Sequence, residues 1–346
     1  MASAFDHPWL GGLFGDEAID AILSPERELA RMLKVEVAWT IARGQVEGAA
    51  DAAGVAKIIA GADLASNDLR EGMARHGVPV PTLVKKLKAL VADADQSLVH
   101  TGLTSQDVVD TALVLALAEV TSLLEQRLGT LDKALSDLYS KVHGRPFTAF
   151  TRMQPALPTT AETHVARWQQ PMPTLSDDLL RCRNDLAVIQ WGGPIGNRDH
   201  PKAEALGRAF AEELGLRDPG VAWHTDRSRL QTLGAVLARI TTACGKIGQD
   251  IAVLAATGDQ ISLAAGGGSS AMAHKQNPIA AEALITLSHY ASLLLPALHN
   301  PHENARSGAF WALEWITLPD LCVAAGASLR LAERAVSEIN DLGRKA

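Results

Sequence analysis

DVVDTALVLALAEVTSLLEQRLGTLDKALSDLYSKV, running from Asp107 to Val142, is the stretch that decides the fold. Its apolar residues fall at Leu113, Leu117, Val120, Leu124, Leu128, Leu131, Leu135, Leu138 and Val142, in steps of three and four. That spacing marks one face of an α-helix. No proline interrupts it, and Gly129 is its only glycine. At the usual rise per residue such a helix runs about 50 Å, where ordinary helices have three or four turns. A rod of that length cannot wrap a small globule and must lie beside other rods.

Those rods are legible on the C-terminal side. Between Pro219 and Pro278, Leu230, Leu233, Leu237, Ile240, Ile247, Ile251 and Leu254 keep the same period. A further helical pattern runs from Leu157 to Ile189, where Pro171 and Pro173 predict a kink. Another starts at Pro278 and ends near Leu295, and a last one spans Gly308 to Leu342 with a bend expected at Pro319. Before about Asp95 the helices are shorter, broken by Gly48, Gly54, Gly61, Gly72 and Gly77. The chain therefore reads as all-α, with a small N-terminal helical domain over 1–95 and a long-helix bundle over 96–346.

Composition agrees. Aromatic residues are 4% and Val/Ile alternation is scarce, which favours helix over strand. Hydrophobic residues at 47% allow a large core. A net charge of −7 argues against nucleic acid or an anionic membrane surface as partner, and leaves room for a local positive pocket that binds a small anion. Cys182, Cys244 and Cys322 are far apart and form no CxxC, which suits a reducing compartment. No basic-then-apolar leader opens the chain, and no uninterrupted apolar run of about 18 residues occurs. A cytoplasmic protein without a membrane span is expected. GxxxxGK[ST], GxSxG, HExxH and a βαβ-type GxGxxG are absent, so phosphoryl transfer, zinc hydrolysis and hydride transfer have no support, and no metal or cofactor is expected.

Three polar segments sit at the ends of the rods. The first holds His100, Thr101, Thr104, Ser105, Gln106 and Asp107. Thr104 with Asp107 has capping-box spacing, so Thr104 or Ser105 is a natural N-cap. A helix start of this kind also offers free N–H groups and a positive dipole to an anion. The second, Phe150 to Thr160, reads as a proline-rich turn opening a helix, a reading that leaves Arg152 and Gln154 unexplained. The third is Ala265 to Pro278: three glycines, then Ser269, Ser270, Met272, His274, Lys275 and Asn277. Asn277 and Pro278 read as the cap and first residue of the next helix. Linkers seldom pack lysine, histidine and asparagine together, so 266–278 reads as a glycine-hinged active-site loop.

Together these segments carry a resemblance. Gly268-Ser-Ser-Ala-Met-Ala-His-Lys-Gln-Asn-Pro278 resembles the GSSxMPxKxNP signature of the fumarase/aspartase superfamily. His100-Thr-Gly-Leu-Thr-Ser-Gln-Asp107 and Thr151-Arg-Met-Gln-Pro-Ala-Leu-Pro158 resemble its two other motifs, in family order. The resemblance implies a long-helix bundle and a homotetramer whose active sites combine motifs from three subunits. It implies proton transfer next to a carboxylate by Ser269. Lys275 and Asn277 would lie near the substrate carboxylate, with His100, Thr101, Thr104, Ser105, Gln106, Gln154, Ser270, Met272 and Arg306 as further substrate contacts. Physically, a serine acts as a base only where its alkoxide is stabilised, which glycine-rich N–H groups and Lys275 would do.

One departure points to the branch. Most lyases of the superfamily carry Thr-His at the Arg152 motif, and that histidine serves the leaving group. An arginine stays protonated and cannot. The reacting group should then need no proton, and a carboxylate, ionised at neutral pH, is such a group. The reading is a cycloisomerase in which a carboxylate of a tricarboxylate substrate adds across a double bond to give a lactone, with Arg152 as a bidentate clamp. Phe5-Asp-His-Pro8 with Leu13-Phe-Gly-Asp16, Trp223-His-Thr-Asp-Arg227, His302 to Arg306 and Trp311 to Trp315 resemble that branch too. Two alternatives stand beside it: a fumarate-releasing lyase, and a non-catalytic bundle. Ala273 replaces the usual proline of the signature, and the sequence ends soon after its last long helix, so a reduced or absent C-terminal domain is expected.

Overall fold

The computed structural model describes residues 3–264, 267–268 and 276–344. The decisive stretch is one helix, α2 (Ser105–Lys141), preceded by a long helix α1 (Pro25–Glu47). Thr104 caps α2: its N–H donates to Asp107 Oδ2 at 2.9 Å, so the first-turn carboxylate satisfies a backbone group the helix leaves free. Leu117, Val120, Leu124, Leu128, Leu131, Leu135 and Leu138 are all buried on one face, as the period requires, and Leu113 packs at its edge. Each such side chain contributes about 1.5–3 kcal/mol of burial, which is why the rod holds together over ten turns.

After α2 the chain departs from the expected helix. Pro146–Thr151 and Gln154–Thr160 form an antiparallel hairpin, β1 and β2, with Thr151 paired to Gln154. The prolines at 146, 155 and 158 are tolerated because each strand has only one partner. The helical pattern thus starts at Ala161, not Leu157, and breaks at the expected prolines into α3 (Ala161–Gln169) and α4 (Met172–Leu186). Then follow α5 (Ala203–Leu214), α6 (Ser228–Thr257), α7 (Ile279–Leu298) and α8 (Gly308–Ser337). Pro319 lies within the continuous run of α8, and Ile339–Leu342 beyond it forms a strand against Ile261–Leu263 in place of a longer helix. Asn277 is not the cap of α7. Gln276–Asn277 pair with Gly267–Gly268 as a two-residue ladder, which holds Asn277 extended and passes the cap position to Pro278.

Contacts at the two ends fix the directions. Arg227, just before α6, reaches Asp110 in the first turns of α2 and Glu314 early in α8. At the far end Lys141 Nζ donates to the Ile339 carbonyl, and Thr148 N donates to Gln260 Oε1. So α2, α6 and α8 run one way, while α3–α4 and α7 return, giving a five-rod bundle. The α6–α7 seam is close: a Cβ on Gly248 would stand 2.5 Å from the Ala281 carbonyl oxygen. By length and composition alone α7 and α8 could cross a membrane. Here they line the bundle, and Leu284, Leu287, Leu321, Leu329 and Leu331 lie in its core. A second core joins α1 and the helices after it to α5 and the start of α2, with Trp39, Leu83, Leu87, Val99, Ile189 and Phe210 buried together.

Candidate active site

Five of the residues expected to bind substrate gather around the N-terminal end of α2. His100 has φ +64° and hydrogen-bonds through Nδ1 to Glu36 Oε1 at 2.6 Å. Thr101 is exposed, and its carbonyl accepts from Trp39 Nε1 at 2.9 Å. Thr104 caps the helix and Ser105 opens it, both half-buried. Gln106 is buried and donates to the His224 carbonyl at 2.9 Å.

Arg306 joins this end through His224. Its guanidinium lies 2.8 Å from His224 Nδ1 and also donates to the Pro194 carbonyl. An arginine has no acceptor, so Nδ1 must accept and Nε2 carries the proton. That proton points at Asp107 Oδ1, 2.7 Å away. Asp107 is fully buried and also accepts from the N–H groups of Gly192, Gly193 and Thr104, each at 2.9 Å. Burial pushes its carboxyl up, while His224 and these N–H groups pull it down. Beneath lies a second buried cluster in which Arg227 bridges Asp110 at 2.6 Å and Glu314 at 2.6 Å. Burial disfavours the guanidinium charge, but the two carboxylates outweigh it and raise its pKa. Trp311 donates to Asp110, and His302 lies 3.3 Å from Glu314.

Of the other expected residues, the described ones, Arg152, Gln154 and Asn277, lie at the opposite end. Arg152 and Met153 are the two turn residues of the β1–β2 hairpin, with φ of +46° and +64°. Both are exposed, as is Gln154. Asn277, half-buried, sits just before the α7 start, paired with Gly267. Ser269, Ser270, Met272 and Lys275 lie outside the described residues. Beside the hairpin is a cleft of about 340 Å³ lined by Arg152, Thr163, His164, Arg167, Lys246 and Asp250. Three cations against one carboxylate suit an anion. Burial holds the His164 imidazole down at about 4, with Asp250 opposing and Lys246 and Arg167 reinforcing. It is therefore neutral at physiological pH.

His100, Arg152 and Arg306 share an unusual property. All three are non-glycine residues in the left-handed region, which costs of order 1 kcal/mol or more and concentrates at functional sites. Sequence reasoning overlooked Glu36, Asp107 as more than a cap, and Asp110, and it met Arg227 only as the end of a resembling segment, without a role. For the three acids the sequence carried half a signal: an acidic residue inside an otherwise apolar helical stripe is buried only when partnered, but which partner it meets is set by packing.

The comparisons follow the same lines. Residues 27–291 match the lyase family. The chain is 35% identical to the 3-carboxy-cis,cis-muconate cycloisomerase of Pseudomonas aeruginosa, covering 90% of this chain and 71% of that protein. It is 30% identical to the nitrosuccinate lyase of Streptomyces davaonensis, over 96% and 74%. The crystal structure of the 3-carboxy-cis,cis-muconate lactonizing enzyme from Pseudomonas putida superposes with a TM-score of 0.90 at 30% identity, covering 97% of this chain and 77% of that one. With this match, these identities and the shared bundle, the chain belongs to the lyase family of the fumarase/aspartase superfamily, in the group of the 3-carboxy-cis,cis-muconate cycloisomerases.

Proposed function

We propose that this protein interconverts 3-carboxy-cis,cis-muconate and a carboxymuconolactone, as an intramolecular lyase in the protocatechuate branch of the β-ketoadipate pathway. The observation that carries the reading is Arg152 at the tip of a strained hairpin turn, where superfamily lyases use a histidine. In the lactonising direction a substrate carboxylate oxygen forms a C–O bond to one alkene carbon. The π pair then takes a proton from the Ser269 hydroxyl at the neighbouring carbon. The nucleophile is already ionised and needs no base. Arg152 holds a carboxylate by its two parallel N–H groups. Lys275 and the glycine-rich backbone stabilise the alkoxide left on Ser269 and the aci-carboxylate of the reverse step. Thr101, Thr104, Ser105, Gln106, His100, Gln154, Ser270, Met272, Asn277 and Arg306 contact the substrate.

The protein works in the cytoplasm as a homotetramer with shared sites. Supporting this, α2 has 37 residues, hence a length of about 55 Å, and its two ends carry the His100–Gln106 segment and the Arg152 hairpin. A tricarboxylate of about 10 Å, the reach of some three extended residues, falls far short of that separation, which favours sites that draw the two segments from different subunits. The test is to follow the conjugated-diene absorbance of 3-carboxy-cis,cis-muconate. Loss of the signal, abolished by Ser269→Ala, is expected; an unchanged absorbance overturns the reading.

A second reading is elimination from a nitro-substituted succinate, favoured by the nitrosuccinate lyase relative. Nitrite also departs as an anion and would need no acid. Nitrite release from nitrosuccinate with a silent diene would select it.

A further inference from the structure

We propose that Glu36, on α1, is a positioning residue of the reaction: it fixes the His100 ring so that Nε2 presents a charged N–H to a substrate carboxylate. This rests on the cycloisomerase reading above.

Four residues at helical spacing on α1 clasp the segment before α2. Arg43 donates to the Ser97 carbonyl at 2.7 Å, and Thr40 to the Leu98 carbonyl at 3.3 Å. Trp39 donates to the Thr101 carbonyl at 2.9 Å, and Glu36 takes the His100 side chain at 2.6 Å. Positions 36, 39, 40 and 43 are one face of a helix, so one rigid element sets the whole 97–101 segment. Three of these contacts hold backbone; only Glu36 holds a side chain.

Glu36 is also costly. It is fully buried, and its second oxygen, Oε2, has no hydrogen-bond partner among the described residues. A buried carboxylate that serves packing alone would be replaced by an apolar residue at no loss. His100 stores a second cost, its left-handed backbone. Two unfavourable features meeting at one 2.6 Å contact indicate that the contact is kept for what it does.

What it does follows from the imidazole. With Nδ1–H given to Glu36, Nε2 is the one remaining ring nitrogen, and it has no partner among the described residues. To donate to a carboxylate there, Nε2 must also carry a proton. The ring is then an imidazolium balanced by Glu36, a cation built without net charge in the segment. The occupant is a carboxylate of the anionic substrate.

The test is a double-mutant cycle on the full protein with Glu36→Gln, His100→Asn and both. Wild-type turnover of 3-carboxy-cis,cis-muconate is measured first; its absence refutes the reading beneath, not Glu36's coupling to His100. With turnover, Glu36→Gln should raise KM about 10- to 100-fold, the worth of one charge-assisted hydrogen bond, with kcat changed far less. In the His100→Asn background the same change should add less than about 2-fold on KM, because Glu36 acts only through His100. Glu36→Asp should recover part of the loss. An equal effect in both backgrounds, or a fall in kcat with KM unchanged, overturns the proposal. Thermal midpoints give a readout free of substrate: His100→Asn alone, which strands the buried carboxylate, should melt lower than the double variant. Additive midpoints overturn the coupling.

Discussion

Arg227 shows what a single buried charge is worth in this bundle. It is 2% exposed and its two carboxylate partners, Asp110 and Glu314, are equally buried. Removing the cation leaves two uncompensated anions, so Arg227→Met should lower stability by about 3–5 kcal/mol. A urea midpoint matching wild type would show that the cluster relaxes or takes in water. His164 makes a prediction of the opposite kind, because it is held neutral. Its folded pKa of about 4 lies below the unfolded 6.5, so between those values the unfolded chain binds more protons. Its stabilising contribution is complete above about pH 6.5 and is lost as pH falls towards 4. His164→Leu should remove that part of the acid slope, and stability curves of the two proteins that stay parallel from pH 7 to about 4 would contradict the assignment.

Helix α2 offers a gain rather than a loss. Gly129 lies on its exposed side, and a Cβ there meets nothing within 4 Å. Gly129→Ala should stabilise the protein by about 0.5–1 kcal/mol, read as a higher urea midpoint at unchanged slope. At this scale the sequence was most legible. The three-four period placed α2 to within about two residues and picked out the buried face of α6 inside a longer proline-free span, since long apolar periods leave little room for another interpretation. It failed at Pro146–Thr160, where proline-rich, threonine-rich sequence reads as turn while the pairing that makes it a hairpin depends on register between strands. It failed again at Asn277, whose cap role was overridden by a two-residue ladder formed with Gly267–Gly268. At the candidate site the sequence offered the motif segments by type and order, and the described ones cluster at the two ends of α2. Glu36 and Arg227 were not, because what makes them matter is burial, which only packing of distant segments creates.

For the whole molecule the decisive quantity is the length of α2. If one site takes its His100 segment and its Arg152 hairpin from different subunits, then His100→Asn and Arg152→Ala impair different corners of every site. Subunits of the two variants, mixed under reversible dissociation and reassembled, should recover activity that neither has alone, because some sites then draw both corners from unmutated segments. A mixture no more active than its components would mean that one chain builds the whole site, against the separation of the two ends.

The hairpin turn has a consequence of another sort. Arg152 and Met153 both occupy backbone territory that an Asn-Gly pair would fill at ease. A breeder rewarding nothing but heat survival would sooner or later write Asn-Gly there, and the result would be a sturdier protein without the proposed carboxylate clamp. The discomfort of those two residues is thus the opposing side of the proposed clamp: stability alone would discard what the reaction asks of that turn.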